Sequence, residues 1–234
     1  MIPIKDDQSR YGTPYINSFL IGLNLVIFFF EAALDPRSLK GLVQQFAVVP
    51  AHVSVFLGGS SHYPLPAIVI PFFTSMFLHG SWMHVLGNMW FLYIFGDNIE
   101  DYLGHFKYLV FYVLAGLMAM TAQVAADPHS SVPTLGASGA IAGVLGAYFI
   151  LYPKARVLTW FPPIFFFYLP AWIMLGYWFV LQFLGGAATA LTYEGRSSGT
   201  GGIAFWAHVA GFIAGGVMIK VFPERARRYP YAYR

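Results

Sequence analysis

The fold class predicted for this chain is all-α: a polytopic membrane helix bundle of six transmembrane helices. Three observations predict it. Of 234 residues, 58% are hydrophobic and only 10% are charged, whereas a soluble domain carries about 25% charge. Mean hydropathy is +0.62. The apolar stretches are continuous rather than alternating with period two, so helices account for them and the strands of a membrane barrel do not. An apolar composition excludes intrinsic disorder. Cysteine is absent, which removes disulfides, thiolate metal sites and thiol nucleophiles. A net charge of +3 points to no nucleic-acid partner.

A bilayer-crossing helix needs about 20 mostly apolar residues. In order, the expected spans are 16–34, which holds Glu31 near its end; 82–95, approached by the apolar 72–78; 106–126; 136–152; 157–184; and 205–222. Pro162, Pro163 and Pro170 are expected to bend the fifth. Six spans put both termini on one side. A cytoplasmic N-terminus places ten of the 13 Lys and Arg on the inner side and leaves Arg37, Lys40 and Arg196 outside. Both termini are therefore expected in the cytoplasm, in a multi-pass protein of the plasma (inner) membrane of a prokaryote. The start is polar, with Asp6 and Asp7, unlike a cleaved signal peptide. Residues 35–80 read as an interfacial structure on the outer surface. Residues 185–202, rich in Gly, Ser and Thr, read as a mobile loop. Without internal repeats, 1–234 reads as a single six-helix membrane domain, with a short cytoplasmic N-terminus at 1–15 and a basic C-terminal tail at 223–234.

Polar residues inside membrane spans are costly and mark function by default. Here they are few: Ser138 within Gly136-Ala137-Ser138-Gly139, His208 before Gly211 and Gly215, and His79, His84 and Asn88 around the start of the second span. The second, fourth and sixth spans enter from the same side, so Ser138, His208, His84 and Asn88 share one outer depth. Ser138, Ala142 and Gly146 lie on one face of their helix, as do His208, Gly211 and Gly215 of theirs. Small faces let two membrane helices approach closely, which brings the imidazole within reach of the hydroxyl and activates it as a nucleophile. His84 and Asn88, at i and i+4, aim two donors at a developing oxyanion, together with the Ser138 backbone N–H. No acid lies in the fourth or sixth span, so a Ser138–His208 dyad is expected, with the histidine oriented by helix packing. Glu100 is expected to cap or pair at the cytoplasmic end. His52, His62, His105 and His129 fall in expected loops. No HExxH and no carboxylate cluster accompany the histidines, so neither metal nor cofactor is expected.

Gly136-Ala137-Ser138-Gly139, His84-x-x-x-Asn88, Ala207-His208-x-x-Gly211-x-x-x-Gly215 and Gly96-x-x-x-Glu100-x-x-x-Gly104 together resemble the rhomboid family of intramembrane serine proteases. The resemblance runs over residues 46–222. It implies Ser138 as nucleophile, His208 as general base, His84 and Asn88 on the oxyanion, and His79 as a support of the first loop. It also implies transmembrane protein substrates in the lipid bilayer, and a water-filled cavity open to the outside, gated by the fifth helix and the loop after it. Many members carry Trp-Arg where this chain has Ile70-Pro71. Some place a Tyr, stacked on the histidine, at the position of Ala142, so a stacking ring here has to come from another position. Relatives that bind helices without cutting them usually lack the Ser or the His, and both are present. A transporter would show inverted repeats or midplane charges, and neither is found.

Overall fold

The computed structural model describes residues 1–9, 12–59, 62–191 and 204–225. Strand β1 (Ile2–Lys5) is followed by α1 (Tyr15–Ala33), α2 (Pro36–Phe46), α3 (Pro50–Leu57), α4 (Leu65–Thr74), a 3-10 turn (Ser75–Phe77), α5 (Trp82–Leu103), α6 (His105–Ala126) and α7 (Ser138–Leu151). Strands β2 (Arg156–Phe161) and β3 (Phe165–Pro170) then lead into α8 (Ala171–Leu191), and α9 (Phe205–Val221) closes the bundle.

Burial runs opposite to that of a water-soluble helix bundle. In α1 the buried residues include Asn17, Asn24 and Glu31, while Phe19, Val26, Phe29 and Phe30 are exposed. Apolar outside and polar inside is the arrangement for lipid as solvent. Helices α1 and α6 and residues 171–188 of α8 are long and apolar enough to cross a bilayer. So is the pair Leu65–Phe77 plus Trp82–Leu103, bent by 76°. The chain is a multi-pass integral membrane protein. Helices α7 and α9 are apolar but shorter.

Helix α7 forms the centre. Every residue from Gly139 to Tyr148 is buried, as befits a helix that is apolar all round. It packs against α9, α6 and α5, with Tyr108, Phe111, Tyr112, Phe95 and Tyr148 filling the core around it. The α7–α9 seam is tight because of glycine. A Cβ on Gly211 would collide with the Gly139 carbonyl, one on Gly215 with the Gly143 carbonyl, and one on Gly146 with the Phe212 carbonyl.

The described residues between 35 and 80 hold α2, α3, α4 and the 3-10 turn. Asp35 caps α2, accepting from the Arg37 and Ser38 amides at 2.9 and 3.2 Å, and α2 has no buried residue. Ile70-Pro71 lies inside α4. Val48 and Thr134 exchange backbone hydrogen bonds at 3.1 and 2.7 Å, fastening the loop before α7 to this region.

The expectation of an all-α chain is corrected at one place. Residues 157–170, expected from sequence as the start of the fifth span, form with Arg156 a β-hairpin, and β1 adds to it antiparallel in the order β1-β2-β3. Pro162 and Pro163, joined by a cis peptide bond, occupy its turn, and Pro170 ends β3. None of the three bends a helix. Proline is costly in a helix interior, two in succession more so, and the aromatic run Phe165-Phe166-Phe167-Tyr168 suits a pleated strand. Asp6 accepts from the Tyr148 hydroxyl and, at 3.0 Å, from Asn98 Nδ2. Trp90 Nε1 donates to the Pro3 carbonyl at 2.6 Å.

At the same end of the bundle the buried Glu100 accepts from the Ile16 and Asn17 amides at 3.0 and 2.7 Å, and lies 2.5 Å from His105 Nδ1. It thus caps α1, in the role expected of it. His105 opens α6 rather than lying in a loop, and His52 sits in α3, stacked on Tyr63 at 4.3 Å. Residues 185–191, expected in a mobile loop, continue α8. Gly185 and Gly186 there admit the rings of Phe205 and Trp206. Residues 192–203 and most of the basic tail, 226–234, lie outside the described residues.

Candidate active site

Ser138 is the first residue of α7, His84 the third of α5 and His208 the fourth of α9. Three helix N-termini therefore meet around one cavity. They surround a cavity of about 750 Å³ lined by Ser138, His208, His84, Asn88, Trp178 and Gln182, among others. Within it His208 Nε2 lies 2.7 Å from Ser138 Oγ. Gly211 and Gly215, on the helix that carries His208, let α9 rest directly on the backbone of α7.

The start of α7 is arranged around Gly136. Its φ of +120° lies in the left-handed half of conformational space, which glycine enters freely. A Cβ there would sit 2.7 Å from His84 Nε2. The Gly136 amide donates to the Ser75 carbonyl at 2.8 Å, tying the loop to the 3-10 turn. The residue before Ser138, Ala137, offers no capping side chain, so the first amides of α7 are left for another acceptor. With the positive end of the helix dipole they favour an anion beside Ser138.

His84 and Asn88 border the same cavity from α5. Ser81 Oγ accepts from the His84 amide at 3.2 Å and begins the helix there. Asn88 Nδ2 lies 3.0 Å from His79 Nε2. An amide nitrogen only donates, so His79 accepts at Nε2 and carries its proton on Nδ1. The His79 amide donates to the buried Glu31 carboxylate at 3.1 Å. His79 thus stands behind Asn88 and ties it to α1; it does not line the cavity.

Two residues at the site were not anticipated. His208 Nδ1 is 2.8 Å from Gln182 Oε1, and the Trp178 ring faces the His208 ring at 5.8 Å with 35° between their planes. Trp178 supplies the aromatic neighbour that Ala142 cannot. The signal for Gln182 was present in the sequence: an amide within an apolar span falls under the same rule that singled out Ser138.

Residues 67–225 match the Rhomboid domain family, well over half of the chain. The chain belongs to the rhomboid family, a family of intramembrane serine proteases. It is 37% identical over 73 residues to "Rhomboid-like protein 11, chloroplastic" of Arabidopsis thaliana, covering 31% of this chain and 26% of that protein. It is 35% identical over 101 residues to "Presenilin-associated rhomboid-like protein, mitochondrial" of Mus musculus, covering 42% and 26%. The L523 protein of Acanthamoeba polyphaga mimivirus, named there as a rhomboid, is 26% identical over 174 residues, covering 73% and 85%. The chain thus spans about a quarter of the length of the first two relatives.

Proposed function

We propose that this protein is an intramembrane serine endopeptidase that hydrolyses peptide bonds in or near the transmembrane segments of membrane proteins. The observation that carries the reading is the 2.7 Å approach of His208 Nε2 to Ser138 Oγ, from residues 70 positions apart, in the lining of a cavity. Ser138 Oγ attacks the scissile carbonyl carbon as its proton passes to His208 Nε2. His84, Asn88 and the first amides of α7 receive the oxyanion. Collapse of the tetrahedral intermediate breaks the C–N bond, and His208 returns the proton to the leaving amine. Water, deprotonated by His208, then attacks the acyl-enzyme and frees Ser138. Neither metal nor cofactor takes part.

In this reading α1, α5, α6, α7, α8 and α9 are the six spans of one membrane domain, residues 1–234. The basic residues favour cytoplasmic termini in a prokaryotic plasma membrane, with the cavity toward the outer face. The substrate is a membrane-spanning helix that unwinds locally, because an intact helix holds its carbonyls in hydrogen bonds. The test is cleavage of a single-span reporter protein in liposomes by the wild type and by Ser138→Ala. Loss of cleavage in the variant is expected, and cleavage at the wild-type rate would overturn the assignment.

A further inference from the structure

Both ring nitrogens of His208 are engaged, and their partners differ in kind. Ser138 Oγ, 2.7 Å from Nε2, can donate or accept. The amide oxygen of Gln182, 2.8 Å from Nδ1, can only accept. One proton distribution satisfies all of these atoms and leaves a base. Nδ1 carries the proton and donates it to Gln182, and Nε2 turns its lone pair to the serine hydroxyl. The opposite tautomer would place a proton on Nε2, facing the group whose proton it must remove, and would oppose two lone pairs at Nδ1.

We propose that Gln182 is the positioning residue of the base, holding His208 in the Nδ1-protonated tautomer and in register with Ser138. This rests on the dyad reading and adds to it a third member, supplied by α8 and uncharged. Trp178, one turn earlier on α8, packs on the face of the same ring. Both groups that orient His208 from outside the α7–α9 pair therefore come from one face of α8. When Nε2 takes up the serine proton, the Nδ1–H to amide bond becomes charge-assisted and strengthens as positive charge forms. A carboxylate in the same place would do this more strongly, but it would bury a charge in an apolar wall between catalytic cycles. The neutral amide fixes orientation without that burden.

Among the described residues the surroundings of His208 are simple. Helix α7 presents Ser138 and α8 presents Trp178 and Gln182, while Gln123 of α6 is engaged by the neighbouring Ala207 amide, accepting at 3.2 Å. His84, from α5, is the other titratable side chain that lines the cavity with His208.

The experiment measures kcat, KM and the pH–rate profile of the full chain in liposomes with the reporter substrate. It compares wild type, Ser138→Ala, Gln182→Leu and Gln182→Glu. Gln182→Leu keeps the bulk and removes the acceptor. Its kcat should fall tenfold or more, a share of the ~10²–10⁴ that a positioned general base contributes, with the loss in kcat rather than KM. Gln182→Glu restores the acceptor and should recover kcat relative to Gln182→Leu. It should also move the acid limb of the profile to higher pH by on the order of one unit, because an adjacent carboxylate favours the imidazolium. If Gln182→Leu fails to fold, judged by its thermal midpoint in detergent, Gln182→Glu carries the test alone. Wild-type kcat in Gln182→Leu, or a wild-type acid limb in Gln182→Glu, overturns the proposal. A merely structural glutamine would lower the rate without moving the limb. Cleavage that survives Ser138→Ala would sink the dyad itself. Loss in Ser138→Ala beside unaltered Gln182 variants would sink only the positioning role.

Discussion

Substituting Gly215 by Ala adds one methyl group two helical turns away from the chemistry, and should disable it. Gly215 follows His208 by seven residues on α9, about 10 Å along the axis at 1.5 Å per residue. The added Cβ would land on the Gly143 carbonyl oxygen of α7. Ordinary van der Waals contact begins near 3.4 Å, so α9 has to retreat by more than an ångström. The obstacle is backbone rather than a side chain that could swing away. Helices are stiff over two turns, so the retreat carries His208 Nε2 from its 2.7 Å position to beyond hydrogen-bonding range of Ser138 Oγ. Misplacing a catalytic group by about 1 Å costs on the order of 10²-fold in rate, or about 2.7 kcal/mol of barrier. Overpacking a close seam should also lower stability by ~1–3 kcal/mol. The assay is kcat for the reporter substrate beside the thermal midpoint in detergent. Gly22→Ala serves as control, since a Cβ on that α1 glycine meets nothing within 4 Å and should be neutral or slightly stabilising. Wild-type kcat and midpoint in Gly215→Ala would refute the idea that the glycine seam sets the Ser138–His208 distance.

Two further outcomes follow from the opposite end of the bundle. Glu100→Gln replaces one acceptor oxygen by a donor facing the amides that cap α1 or the His105 ring. It should destabilise by ~1–3 kcal/mol, read as a lower thermal midpoint, while kcat at a permissive temperature holds because α5 separates Glu100 from His84 by about 24 Å of helix; an unaltered midpoint would refute the capping role. Burial pushes the Asp6 carboxyl up to about 6, with Asp97 and Asp7 adding to the rise against the Tyr148 hydrogen bond. A raised folded-state pKa means stability that is complete below the unfolded value of about 3.9 and is lost as pH climbs through about 6. The thermal midpoint of the wild type should therefore carry a downward component across that window that Asp6→Asn lacks. Identical pH dependence in the two proteins would show that Asp6 does not titrate there.

Much of the bundle and the site could be read from the sequence, because membrane composition makes polar residues scarce. Ser138, His208, His84 and Asn88 stood out against apolar spans, and helical spacing alone put each on a face with its small or polar neighbours. The hairpin at 156–170 was missed because a short continuous apolar run looks the same in a strand and in a helix; Pro162-Pro163 and the aromatic run after them argued otherwise. Strand β1 has four residues, and its partner is remote, so no local pattern could disclose it. Trp178 carried no signal, since aromatics make up 19% of the chain and any of several could have met His208. Gln182 was different. The rule that exposed the serine applied to it equally, and what the sequence withheld was its partner.

The pairing of β1 with β2 bears on the order in which the molecule assembles. Ile2 lies beside Trp160, and Arg156 donates its amide to Asp7 at 2.9 Å. Residues 2–5 are thus made long before the strand they pair with, and are among the last to find their places. Closing a loop of about 150 residues carries an entropic penalty that only late, non-local contacts repay. The helices can insert and associate while β1 still has no sheet to join, and its docking follows synthesis of the hairpin. The sheet then closes beyond the C-terminal end of α7, remote from Ser138, so the cavity can take shape before the strand is seated. Maturation should accordingly have two stages, a membrane-embedded bundle first and a closed sheet second.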